Sequence, residues 1–132
     1  MKKYTLVVIS VVLGLLVAGL LTFNLFSPET KITSALANMT YVYGGQEIRE
    51  VLSPEESQLL RSIFDSRRPY SDNPSCGFTE DISISFGSLV FCIACDDCPI
   101  IKFGNKYFKI SEEDRETINQ IFEKYGGTFP CL

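Results

Sequence analysis

The feature that most constrains this chain is its start, "MKKYTLVVISVVLGLLVAGLLTFNLF", where Lys2 and Lys3 precede a long uncharged, apolar run. About 22 such residues, coiled as a helix, span the roughly 30 Å of a bilayer's hydrocarbon core. The lysines stand before the run, and acids with Lys31 follow it. The positive-inside bias therefore keeps the N-terminus in the cytoplasm and sends the remainder out. A cleaved signal peptide is the competing reading, because Ala35-Leu36-Ala37 has the form of a cleavage site. The run exceeds the roughly 7 to 15 residues of a signal core and the site comes late, so a retained single-pass anchor in the cell membrane is expected over residues 1–26. Cleavage after Ala37 would instead release a secreted protein. Residues 27–37, "SPETKITSALA", are short, polar and small, and they read as a stalk. The extracytoplasmic domain is then 38–132, long enough for one small core.

Taking the two leading lysines from a net charge of −4 leaves the exported part at −6. That balance disfavours nucleic acid, whose binding needs a basic face. There is no histidine, so nucleophile pairs built on an imidazole are excluded.

Two segments echo each other. "LSPEESQLLRSIFD" (52–65) and "ISEEDRETINQIFE" (110–123) both read as helices opened by a serine cap, Ser53 and Ser111, with acids in the first turn. Pro54 and Glu56 add a first-position proline and a capping box to the first. The expected apolar stripes are Leu59, Leu60, Ile63 and Phe64, then Ile118, Ile121, Phe122 and Tyr125. Each helix follows a hairpin signal, one turning at Gly44-Gly45 and one at Gly104-Asn105.

Between these halves, "DISISFGSLVFCIA" is a third hairpin turning at Gly87-Ser88. With Phe86 facing Leu89, Ile84 faces Phe91 and Ile82 faces Ile93, which puts six large apolar side chains on one face. The two helices are the available cover. The expected fold is α+β: an N-terminal transmembrane helix, then a small antiparallel sheet in the order hairpin-helix, hairpin, hairpin-helix, with both helices on one face.

The cysteines are the candidate chemistry. "FCIACDDCP" carries Cys92, Cys95 and Cys98, and the chain's other two are Cys76 and Cys131. Along a strand rising about 3.3 Å per residue, Cys92 and Cys95 would face opposite sides, about 10 Å apart, too far for a disulfide. Extending the hairpin register places Cys76 opposite Pro99 and beside Cys98. A Cys76–Cys98 bridge closing about 20 residues would contribute roughly 3 kcal/mol. A Cys95–Cys131 bridge would hold a chain end that otherwise frays. Cys92 is then the odd thiol. Exported small domains favour such structural bridges.

Two alternatives use the same residues. A Cys95/Cys98 redox pair would make the chain a membrane-tethered thiol–disulfide protein, although Asp96 and Asp97 would raise the thiols' pKa. A metal centre would draw on Cys92, Cys95 and Cys98 with Cys76 or Cys131, although zinc ligands usually come as separated knuckles.

"SRRPYSDNPSCGF" (66–78) is the longest aperiodic stretch, and Arg67, Arg68, Tyr70 and Phe78 make it the expected partner-binding loop. The functional expectation is a non-catalytic binding or accessory module without a cofactor, in contact with the membrane through 1–26 and with an extracytoplasmic protein partner.

Overall fold

The protein is described by a computed structural model over residues 1–25, 30–70 and 74–131. The first element, α1 (Lys2–Leu25), is apolar all round beyond its two opening lysines, and its side chains over residues 2–21 are exposed. It is long and apolar enough to cross a membrane. A helix of this kind has no single face to bury and is stable only when an apolar medium surrounds it.

The remainder is an α+β fold. Strands β1 (Asn38–Tyr43) and β2 (Gln46–Val51) form the first hairpin, followed by helix α2 (Pro54–Phe64). Strands β3 (Ile82–Phe86) and β4 (Leu89–Ile93) form the second, β5 (Ile100–Phe103) and β6 (Lys106–Lys109) the third, and helix α3 (Glu112–Lys124) ends the series. All six strands share one antiparallel sheet in the order β2-β1-β3-β4-β5-β6. The central pairing carries the register expected from the sequence, with Phe86 opposite Leu89 and Ile84 opposite Phe91. Gly44 and Gly45 turn the first hairpin at φ 60° and 81°, which fits a turn whose twist matches that of the strands.

One face of the central hairpin is the floor of the core. Ile82, Ile84, Phe86, Phe91 and Ile93 are buried there with Leu60, Ile63 and Phe64 from α2 and Ile118, Ile121 and Phe122 from α3. Phe91 is its hub: Phe64 stacks on it at 4.7 Å and Phe103 at 5.0 Å, and Phe86 and Phe108 meet it edge-on. Such aromatic contacts each contribute about 0.5–1.5 kcal/mol beyond the area they bury.

The helices run antiparallel and are clasped at both ends. Lys124 and Tyr125, at the end of α3, reach Glu56 at the start of α2, while Arg67 beyond α2 lies 3.6 Å from Asp114 in the first turn of α3. Ser53 and Glu56 form the full capping box, and Ser111 accepts from the Asp114 N–H.

Three sequence expectations differ from the structure. Leu59 is 48 % exposed, and Ser57 takes its place on the buried side of α2. The stripe is rotated because Ser57 accepts a hydrogen bond from the Ala37 N–H at 2.9 Å, drawing residues 30–37 across that face. Helix α2 also stops at Phe64, capped by Asp65, short of Arg67-Arg68-Pro69, the sequence's own helix-ending signal.

The third difference is residues 30–37, expected to be part of a stalk. They lie along α2 and form part of the domain. Thr30 is buried, exchanges backbone hydrogen bonds with Ser66 and Arg67, and donates its hydroxyl to the Phe64 carbonyl. The Ile32 N–H donates to Asp65, and Arg61 donates to the Ser34 and Ala35 carbonyls. The Thr30 hydroxyl thereby satisfies a carbonyl that the end of α2 leaves without a partner. Hydropathy missed the docking because the bonds are made by backbone groups and polar or charged side chains. Residues 27–29 of the expected stalk lie outside the described residues.

Candidate functional site

The Cys95–Cys98 segment leaves β4 at Ile93 and turns where Asp97 adopts φ 61°. Asp96 stabilises the bend by accepting from the Cys98 N–H at 3.4 Å. Because the strand stops here, the two sulfurs part company. Cys98 is bonded to Cys76, with Cα atoms 6.3 Å apart, and Cys95 to Cys131, with Cα atoms 5.2 Å apart. These are the pairs that the register and the frayed-end argument name. Cys95 and Cys98 are therefore not bonded to each other, as a redox CxxC would be.

The three sulfurs of the proposed metal set are also separated. Cys92 is a free, buried thiol on a strand, and Cys95 and Cys98 belong to different bridges. Among the described residues, Cys76, Asp96 and Cys98 do bring their ligand atoms within 4.8 Å of one another, but two of those atoms are the sulfurs of one disulfide.

The Cys95–Cys131 bridge anchors a C-terminal strap over the core. The Cys131 N–H donates to the Cys95 carbonyl at 2.9 Å, Phe129 packs edge-on against Phe122 and Tyr41, and Tyr41 Oη donates to the Thr128 carbonyl at 3.0 Å. Gly127 allows this approach. A Cβ there would sit 3.2 Å from the Tyr41 ring and 3.3 Å from Phe122.

Beneath the strap lies a polar cluster that the sequence reading did not single out. Arg115 is 3 % exposed and donates to the Ala94 carbonyl at 2.7 Å. Its guanidinium lies 4.6 Å above the Phe129 ring and 3.6 Å from Asp97, which also accepts from Asn119 at 2.7 Å. Burial pushes the Arg115 pKa down, and the Asp97 and Asp96 charges oppose that shift. The signal was its spacing: Arg115 precedes Ile118 and Phe122 at three and seven residues, on the apolar stripe. Asp97, Pro99, Glu112, Glu116, Arg115 and Asn119 border a cavity of about 240 Å³. Arg115 Nε and Nη1 and Asn119 Oδ1 are sealed from solvent and make no hydrogen bond within the described protein, so the cavity does not open onto them.

Comparison with known protein families, with curated proteins and with solved structures finds no match. The arrangement must be read on its own chemistry.

On the opposite face of the sheet, Cys92 lines a second cavity, of about 340 Å³, together with Thr79, Glu80, Leu89, Lys102 and Phe103. Burial pushes its thiol pKa up, Glu80 pushes it further and Lys102 opposes both.

The expected partner loop is largely turned inward. Tyr70 exchanges backbone hydrogen bonds with Tyr107 on β6 at 2.9 and 3.0 Å, and the Phe78 ring lies 5.4 Å from that of Tyr107. Arg67 donates to the Ile63 carbonyl and faces Asp114. Arg68 is exposed. Residues 71–73 of this loop lie outside the described residues.

Proposed function

We propose that this chain is a single-pass membrane protein whose extracytoplasmic, disulfide-stapled α+β domain is a non-catalytic binding or accessory module for another extracytoplasmic protein. The observation carrying the reading is the use made of the CxxCxxC motif. Its last two cysteines, Cys98 and Cys95, tie the central hairpin to the loop before it and to the chain's end. That is what a small core needs in an oxidising compartment, where disulfides persist. The apolar run of α1 and the two lysines that open the helix support the anchor and its orientation.

The test is non-reducing peptide mass spectrometry on the full chain from native-host membranes, with thiols alkylated at lysis and protease added from outside. Support would be Cys76–Cys98 and Cys95–Cys131 peptides, an intact residue 1–25 segment retained by the bilayer, and a domain cut only from outside. Fully reduced thiols, or a Cys95–Cys98 link that mild reductant opens without unfolding, would overturn it.

A further inference from the structure

The two edges of the sheet are unlike. The β6 edge is covered, since Tyr70 bridges Tyr107 and Phe78 packs beside it. The β2 edge ends the sheet, and no described residue pairs beyond it. A bare edge strand is a template for another strand unless something blocks it.

Which groups of β2 face outward follows from the hairpin. Tyr43 and Gln46 flank a two-residue turn, so they form a hydrogen-bonded pair, and such pairs alternate: Tyr41 with Ile48, then Met39 with Glu50. The Leu52 N–H to Ala37 carbonyl bond of 2.9 Å continues that series. Gln46, Ile48 and Glu50 thus spend their N–H and C=O groups on β1. Glu47, Arg49 and Val51 direct theirs to the open edge.

We propose that the β2 edge is a self-association surface, on which a second copy of this chain pairs its own β2 antiparallel about a two-fold axis at Ile48. Edge-directed residues must oppose edge-directed residues, which leaves symmetric pairings centred on Glu47, Ile48, Arg49 or Glu50. Centring on Glu47, Arg49 or Glu50 sets like charges directly opposite. Only the Ile48 centre sets Glu47 against Arg49, and it does so twice, with Gln46 against Glu50 outside them. Within one chain Arg49 already donates to Glu47 at 2.7 Å, with both side chains 63 % exposed. The paired edges therefore carry a ring of four alternating charges on the helix-free face. Ile48, half-buried against the core, meets its own copy on the other face. Charges on an edge ordinarily discourage pairing. Here their alternation selects one register.

A two-fold perpendicular to the joined sheet keeps both helix layers on one side. Thr30 lies in that layer, bonded to the last turn of α2, so both copies of Thr30 lie on the same side. The proposal goes beyond the anchored-module reading and uses it only here. Pairing of edges alone is smaller than a standard interface, and two anchors confined to one membrane would raise the effective concentration to compensate.

The experiment co-expresses two differently tagged full-length copies in native-host membranes and measures their co-purification. Wild-type copies should associate. Two E47R copies, or two R49E copies, should lose about ten-fold or more. E47R paired with R49E should recover, because both contacts between positions 47 and 49 are again between opposite charges, and recovery shows that both variants fold. Oxidation should link Ile48→Cys to itself, since directly opposite non-hydrogen-bonded residues lie about 4.5 Å apart. Arg49→Cys copies, about 8 Å apart in this register, should not link. Wild-type copies that do not co-purify, association indifferent to E47R and R49E, or linkage through position 49 instead of 48 would each overturn the proposal. Failure here leaves the anchor intact, and a soluble chain that still shows the charge rescue would overturn the anchor alone.

Discussion

Tyr125 Oη donates to Glu56 Oε2 at 2.8 Å, joining the end of one helix to the start of the other across 69 residues of sequence. The same carboxylate accepts from Lys124 and from the Ser53 N–H. It therefore closes the N-terminal cap of α2 and the helix–helix seam together.

The pH dependence follows from this carboxylate. Burial alone would raise the Glu56 pKa, but the hydrogen bonds from Lys124, Tyr125 and Ser53 outweigh it and hold the value at about 2, against 4.5 for the free group. A folded-state pKa below the unfolded one contributes stability that is present above pH 4.5 and lost as pH falls through 2. Allowing for solvent screening at the exposed lysine, the contribution is about 1–2 kcal/mol. Urea midpoints of the full chain in detergent should fall between pH 5 and pH 2. Glu56→Gln should lower the midpoint at pH 7 and flatten that fall. An equal fall in the variant would show that other carboxylates are responsible.

The bridges close loops with sequence separations of 22 and 36. In the chain-entropy model each contributes about 3–4 kcal/mol, a large part of the roughly 5–15 kcal/mol a small domain has. Cys76→Ser and Cys131→Ser should each lower the unfolding free energy by that order. The Cys131→Ser change should also release the strap, which amide hydrogen exchange at residues 127–131 would register. Unchanged stability on losing either bridge would mean that the unfolded chain is already restrained.

Much of this architecture could be read from the sequence because it is written in periodicity and turn chemistry. Gly87-Ser88 fixed the central register, and extending it named Cys76 and Cys98 as neighbours; the bridge is there, although the ladder itself pairs only as far as Ser83 and Cys92. The docking of residues 30–37 left no such mark, since backbone groups, the hydroxyls of Thr30 and Ser57, and the charged side chains of Arg61 and Asp65 make its bonds. Arg115 was hidden for a related reason. Position on the stripe implied burial, but only the tertiary meeting of α3 with Ala94, Asp97 and Phe129 shows what a buried cation there touches.

That docking has a sharp test. Ser57 is fully buried and accepts from the Ala37 N–H. Ser57→Ala leaves that N–H buried without a partner, which costs about 1–3 kcal/mol. Leu59→Ala, two residues away on an exposed position, should cost less than about 0.5 kcal/mol. The unfolding free energies of the two variants should therefore rank opposite to the hydrophobicity of the residue removed. A larger loss at Leu59 would mean that another surface covers it.

Cys92 offers the last check, on the helix-free face. It is the one thiol outside the two bridges, it is buried, and its pKa is raised first by that burial and then by Glu80. The thiolate is the nucleophile, so both effects slow alkylation. In the folded chain at pH 8, iodoacetamide should modify Cys92 more than about ten-fold slower than a free cysteine. Denaturant without reductant should restore the full rate while adding a single label, since the other four sulfurs stay bridged. Native-state labelling at the free-thiol rate would show that Thr79, Glu80 and Lys102 do not close over the sulfur. A second label in denaturant would show that one bridge had opened.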